Sequence, residues 1–130
     1  MAEGIRNISL RVGEAPFLLE AVLCGGGSGI QVYVGGGTLP HIGSVVLAEP
    51  RPGLSNPEEN SCTVSVLNLA GHKDEAVARA FAEAFCRQYG CPVSVSAGVH
   101  IDNASPEDIQ KFLELSRELL EKALNIWSEE

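Results

Sequence analysis

The sequence predicts an α+β fold: one domain over residues 1–130, in which a mainly antiparallel, sandwich-like β-sheet is covered by two helices at about 73–89 and 106–127. Three observations lead there. Apolar residues alternate with a period of two along most of the chain from residue 5 to residue 69, and the period then changes to about 3.6. The order of elements is strands first, then helix, strand, helix, which is the α+β pattern. The length, 130 residues, suits one compact domain, and no internal repeat or linker divides it.

Each element has its own signal. In residues 5–12, Ile5, Ile8, Leu10 and Val12 are apolar while Arg6 and Arg11 are expected to face water, a half-buried strand with one irregularity. Gly13 to Pro16 reads as a turn. Residues 17–24 (FLLEAVLC) and 30–36 (IQVYVGG) read as the two arms of a hairpin around the glycine loop GGGSG, 25–29. Residues 44–50 (SVVLAEP) form the next strand, stopped by Pro50 and Pro52. A polar loop, 51–61, separates it from the alternating strand 62–69 (CTVSVLNL).

The first helix places Val77, Ala80, Phe81, Ala84 and Phe85 on one face. Asp74 and Glu75 stand in its first turn, Arg87 in its last, and Gly90 just beyond, which suits the helix dipole and a glycine stop. Residues 91–101 return to a strand. The last helix begins at SPED: Ser105 caps, Pro106 fits the first helical position and Asp108 closes an acidic variant of the capping box. Its apolar face runs through Ile109, Phe112, Leu113, Leu120, Ala123, Leu124 and Trp127. The two helices cover one face of the sheet. The other face must meet water, another sheet or another subunit.

Composition narrows the function. A domain of this size buries roughly two-thirds of its unfolded surface, so it needs neither metal nor disulfide to fold. Nine Lys and Arg against 17 Asp and Glu give a net charge of −8, and the basic residues are scattered singly. Nucleic acid and anionic membrane are not expected as partners of such a chain. No apolar run reaches the roughly 18 residues of a membrane span, and no secretory leader is seen. Cys24, Cys62, Cys86 and Cys91 have neither CxxC nor zinc-like spacing, so a reduced, cytoplasmic setting with neutral thiols is the simplest reading; a Cys86–Cys91 disulfide is allowed but not required.

Residues with chemical potential are few. His41, His72 and His100 stand at strand or helix ends, and Asp102 is close enough in sequence to orient an imidazole. No HxxxH-type spacing supports a metal site. Ser28 lies among glycines, but GGGSGI does not meet the GxSxG pattern of a nucleophile elbow. The glycine runs 25–29 and Gly35, Gly36, Gly37 flank one strand. Such runs let backbone N–H groups converge on an anion, and they equally make hairpins, bulges and close backbone contacts. Neither run is a P-loop or a dinucleotide fingerprint. Thr38, His41, Arg51, Lys73 and Asn103 lie in or beside loops. His72 and Lys73 open a helix, where N–H groups and a cation can meet a phosphate; a solvated helix entry explains them as simply. No residue set supports an enzyme.

Three segments together carry a resemblance: GGGTLPHIGSVVLAEPRP (35–52), SVLNLAGHKDEAVAR (65–79) and VSAGVHIDNASPEDI (95–109). They resemble the LpdD-like, prenylated-flavin-chaperone-like small proteins that accompany UbiD-type non-oxidative aromatic acid decarboxylases. The resemblance extends over about residues 5–125. It implies a fold similar to the proteasome assembly chaperones, usually dimeric. It implies a non-catalytic accessory role: binding, protecting or delivering prenylated FMN for a UbiD-type decarboxylase, as a homodimer. On that reading Gly35, Gly36, Gly37, His41, His72, Lys73 and Asn103 are the candidate cofactor-binding residues, with Tyr33, Phe17 and Trp127 as candidate stacking partners for the flavin. An alternative is an assembly chaperone or structural partner that binds protein and no cofactor.

Overall fold

The computed structural model describes residues 4–70 and 73–129. Six strands form one mixed sheet: β1 (Arg6–Glu14), β2 (Phe17–Gly26), β3 (Gly29–Gly37), β4 (Ser44–Pro52), β5 (Asn60–Asn68) and β6 (Val93–His100). The helices are α1 (Glu75–Tyr89) and α2 (Pro106–Ser128). The strand order is β1-β2-β3-β6-β4-β5. Every pairing is antiparallel except β3 with β6, which run parallel at the centre. A parallel pair cannot be joined by a tight hairpin, and here β4, β5 and α1 make the crossover. The mainly antiparallel sheet is therefore as expected, but the described residues supply one layer of it; a sandwich would need its second sheet from elsewhere.

The alternation in the sequence becomes the two faces of this sheet. Leu19, Leu23, Val32, Val34, Val46 and Val95 point to the helices and are buried. Their neighbours Val22, Tyr33, Leu47 and Leu67 point the other way and are exposed. The helix α1 lies over β4, β5 and β6, and α2 over β1 and β2. Phe81 and Phe85 of α1 and Leu119 of α2 are fully buried between the helices and the sheet. Each side chain of that size stabilises the fold by about 1.5–3 kcal/mol through burial.

The strands extend further than the turn signals suggest. β2 and β3 run on to Gly26 and Gly29, which face each other in the ladder, so only Gly27 and Ser28 turn the hairpin. Likewise β4 continues through Pro52, and β5 starts at Asn60. Four expectations need correction. Ala80 is exposed; α1 instead buries Val77, Ala78, Phe81, Ala82, Phe85 and Cys86. In an alanine-rich helix the small residues do not fix the buried face; the ladder Glu75–Arg79–Glu83–Arg87 takes the outer side and turns Ala78 and Ala82 inward. Ile5 is exposed: it precedes β1 and, three residues from Ile8, is out of step with the alternation of Ile8, Leu10 and Val12. Arg6 is half-buried rather than exposed: its guanidinium stacks 4.0 Å over the Trp127 ring and donates to the Trp127 carbonyl at 2.9 Å. Ile109, placed on the apolar face of α2, is itself exposed.

The helix termini follow their signals. Ser105 Oγ accepts from the Asp108 N–H at 3.1 Å, and the Asp108 carboxylate accepts from the Ser105 N–H at 3.0 Å. Gly90 ends α1 in the left-handed region at φ +62° and donates back to the Cys86 carbonyl. All four cysteines are free thiols, Cys86 and Cys91 included. Burial pushes the Cys86 thiol up to about 11, with Cys62 and Cys91 nearby adding to the shift.

Candidate functional site

The chemistry-bearing residues gather at one end of the sheet, where β3 and β6 finish and β4 begins. Gly35, Gly36 and Gly37 end β3; all three pair with β6, and Gly35 and Gly36 pair with β2 as well. Each occupies a place that a side chain would fill with a collision. A Cβ at Gly35 would stand 2.9 Å from Cβ of Pro40. At Gly36 it would strike the Leu18 carbonyl, and at Gly37 the His100 carbonyl. Gly37 also has φ +73°, which favours glycine. Close backbone approach therefore accounts for the run, and it leaves room for the chain to turn back across the sheet at this end.

From Gly37 the chain must pass over the end of β6 to reach β4. It does so in six residues, held to β6 at three of them. Thr38 N–H donates to the His100 carbonyl at 2.7 Å, His41 N–H to Gly98 at 3.3 Å and Gly43 N–H to Ala97 at 2.8 Å. Tyr33 reaches up from β3 and its hydroxyl donates to the His41 carbonyl at 3.2 Å. Gly98 lets this crossing lie flat, since a Cβ there would run into the His41 carbonyl.

The result is that His41 and His100 meet, with ring centroids 6.3 Å apart and edge to face. Each has a carboxylate. His41 Nδ1 donates to the Leu39 carbonyl at 3.1 Å, and Nε2 lies 3.4 Å from Asp74 Oδ2. His100 Nε2 is 2.9 Å from Asp102 Oδ1. Asp74 is a buried carboxyl group; it occupies the N-cap position of α1, but its side chain makes no capping hydrogen bond. Its other oxygen accepts the Val99 N–H at 3.0 Å, tying α1 to β6. Neither role, that of Asp74 or that of Gly98, is announced by the sequence, because both depend on pairings between distant segments.

Beside Asp74, on the helix side of the sheet, is a cavity of about 150 Å³. It opens where the N-terminal ends of α1 and α2 part over the sheet. Leu19, Val77 and Phe112 form its buried floor; Val99, Ile101 and Leu113 form its walls. Lys73, Ala104 and Ile109 are exposed at its rim. Asn103 lies in the adjoining β6–α2 linker in the left-handed region, at φ 55°, a conformation that Asn tolerates better than most residues.

The structure thus brings Gly37, His41, His100, Asp74 and Lys73 to one end of the sheet, with Asn103 in the linker beside them. His72 lies outside the described residues. Arg51 is elsewhere, donating to Thr63 Oγ1 at 2.9 Å near the β4–β5 hairpin. Of the candidate stacking residues, Trp127 is buried under Arg6 and Phe17 packs on Phe112 with Lys111 above it. Tyr33 is the one whose ring faces the open side of the sheet. Among the described residues no group of three or more His, Cys, Asp or Glu is arranged to hold a metal ion, and no helix is long and apolar enough to cross a membrane. Chemically, the corner offers hydrogen-bond donors and a lysine next to an apolar recess, an arrangement for binding an amphiphilic molecule.

Residues 13–128 match the family described as "Prenylated flavin chaperone LpdD-like domain". Among solved structures, a chain of "Crystal Structure of a Novel Chaperone Complex for Yeast 20S Proteasome Assembly" is similar, with a TM-score of 0.62 and 17% identity over 96% of both chains. At that identity the likeness concerns the fold alone, which is the fold the sequence resemblance implies. No curated protein matches the sequence.

Proposed function

This chain belongs to the prenylated flavin chaperone LpdD-like family, whose description is that of an accessory, non-catalytic role, and on that premise we propose that it binds prenylated FMN and protects or delivers it to a UbiD-type decarboxylase in the cytoplasm. One observation carries the reading: the polar corner of His41, His100 and Lys73 adjoins the apolar cavity across Asp74. A flavin phosphate is likewise amphiphilic, with an anionic end and an apolar ring system. We assign the polar end to His41, Lys73 and Asn103, with His72 adjacent to Lys73 in sequence. Gly35, Gly36 and Gly37 contribute by holding the β3 backbone close enough for the crossing segment to seat His41.

The charge balance favours transit over storage. The chain carries −8 overall, and Asp74 and Asp102 stand beside the two histidines. Lys73 is the lysine that this corner sets against a dianion, and the histidine Nε2 atoms already face carboxylates, so the hold is weak, which suits a protein that must release its cargo.

A second reading has its own observation. Val22, Tyr33, Ile42, Leu47 and Leu67 are all exposed on the open side of the sheet or the segment crossing it. An exposed apolar surface of this kind marks a protein contact, either with a second copy in a homodimer or with the decarboxylase. Light scattering of the purified protein distinguishes monomer from dimer, and co-purification with the decarboxylase in the absence of flavin tests the cofactor-independent contact. The cofactor reading is tested by titration with FMN and with anaerobically prepared prenylated FMN, followed by flavin fluorescence and thermal shift. Saturable binding raises the melting temperature by mass action; no binding of either flavin removes the reading.

A further inference from the structure

We propose that the cavity between the N-terminal ends of α1 and α2 is a site for a five-carbon branched apolar group, and that it is what makes the protein prefer a prenylated flavin to the unmodified one; this rests on the cofactor reading of the site. Size gives the first argument. An apolar cavity of about 150 Å³ is one that takes a single benzene-sized group. A three-ring isoalloxazine does not fit in it, but the five carbons of a prenyl unit do. The prenyl unit is also the part by which the family's named ligand differs from plain flavin.

Lining gives the second argument. Leu19, Val77 and Phe112 below and Val99, Ile101 and Leu113 around present carbon to the space. Water would need two or more polar partners there. The buried polar group at its edge, the Asp74 carboxylate, is already committed to the Val99 N–H and faces His41. Carbon surfaces with nothing between them forfeit their dispersion contacts, so an apolar group entering this space regains contacts that water cannot supply.

Direction gives the third argument. Burial grades from the floor, where Leu19 is fully inaccessible, to a rim of Lys73, Ala104 and Ile109 that is exposed. A ligand entering with its apolar group first leaves its remainder outside, against Lys73. That is the orientation an amphiphile with one branched apolar end and an anionic end would take.

The test compares the two flavins on cavity variants. In the wild type, filling an apolar pocket with five additional carbons should give prenylated FMN a preference of about tenfold or more over FMN. Ala104→Trp closes the rim from an exposed position and should not disturb folding; Val77→Phe fills the floor and is read only if its thermal unfolding remains cooperative. The expected result is that the preference falls to near unity, with prenylated FMN losing more affinity than plain FMN. An unchanged preference in Ala104→Trp overturns the proposal, as does an equal loss for both flavins, which would place the isoalloxazine edge in the cavity. If the wild type binds neither flavin, the cofactor reading fails first, and titration with 3-methyl-2-buten-1-ol decides the cavity separately. Saturable shifts confined to the methyl resonances of Val99, Ile101, Ile109 and Leu113 uphold a five-carbon site; no shifts overturn it.

Discussion

His41 and Asp74 face each other across the end of the sheet, imidazole Nε2 to carboxylate Oδ2 at 3.4 Å, although one belongs to a crossing segment and the other precedes a helix. The other oxygen of Asp74 accepts the Val99 N–H at 3.0 Å. One buried carboxylate thus fastens α1 to β6 and the crossing segment to both. Asp74→Ala leaves the Val99 N–H without its acceptor and should cost about 1–3 kcal/mol in urea unfolding. Asp74→Asn retains an acceptor oxygen and should lose less. Equal losses would assign the stabilisation to the contact with His41 instead.

Gly98 should be intolerant where Gly27 is not. A Cβ at Gly98 meets the His41 carbonyl, so Gly98→Ala must push the crossing segment off β6. The expected cost is about 1–3 kcal/mol, the range for overpacking, together with weaker flavin binding as His41 moves. Gly27, in the two-residue turn at the far end of β3, has nothing within 4 Å of its added Cβ. Gly27→Ala should stay within about 0.5 kcal/mol of wild type and bind normally. Thermal melts and flavin titration of the two variants side by side check both statements.

The α2 cap offers a smaller, local effect. Ser105→Ala removes the hydroxyl that accepts the Asp108 N–H at 3.1 Å. About 1 kcal/mol of stability should go with it. Because the capped turn adjoins Ala104 and Ile109 at the cavity rim, the variant should also weaken the preference for prenylated over plain flavin before it weakens FMN binding. A loss of stability with unchanged flavin preference would show the cap to be structural alone.

The buried thiols predict alkaline sensitivity. Cys86 has its pKa raised by burial from 9.0 to about 11, with Cys62 and Cys91 contributing. A raised pKa means that the folded chain keeps a proton the unfolded chain gives up. The stabilisation is fully present below about pH 9 and is lost as pH rises towards about 11. Cys86→Ala should flatten the fall in melting temperature over that window. Native Cys86 should also resist thiol reagents at pH 8 until the protein is unfolded, since the thiolate is the reactive form.

Much of this architecture is legible in the sequence because it is written locally. The alternation in 44–50 and 62–69, the capping box at Ser105 and the glycine stop at Gly90 each specify their element within a few residues. The site is legible only as a set of candidates. His41 and His100 meet because β3 and β6 pair in parallel, and no spacing in the sequence announces that pairing. The glycines at 35–37 are open to two readings in the sequence; only the positions of Pro40, Leu18 and His100 above them show what the missing side chains make room for. Arg6 looks solvent-facing in its strand because Trp127, which covers it, lies at the other end of the chain. The cavity has no sequence signature at all, because it arises from how two helices part over a sheet.

The central claim is that the corner of His41, His100 and Lys73 with its adjoining cavity holds a prenylated flavin. The most direct measurement is an anaerobic titration of the wild-type protein and of Lys73→Ala with prenylated FMN, read by flavin fluorescence. Saturable binding in the wild type, weakened about tenfold by loss of a single phosphate-facing cation, is the result expected. Absence of saturable binding in the wild type, or wild-type affinity in both Lys73→Ala and a His41→Ala variant, would contradict it.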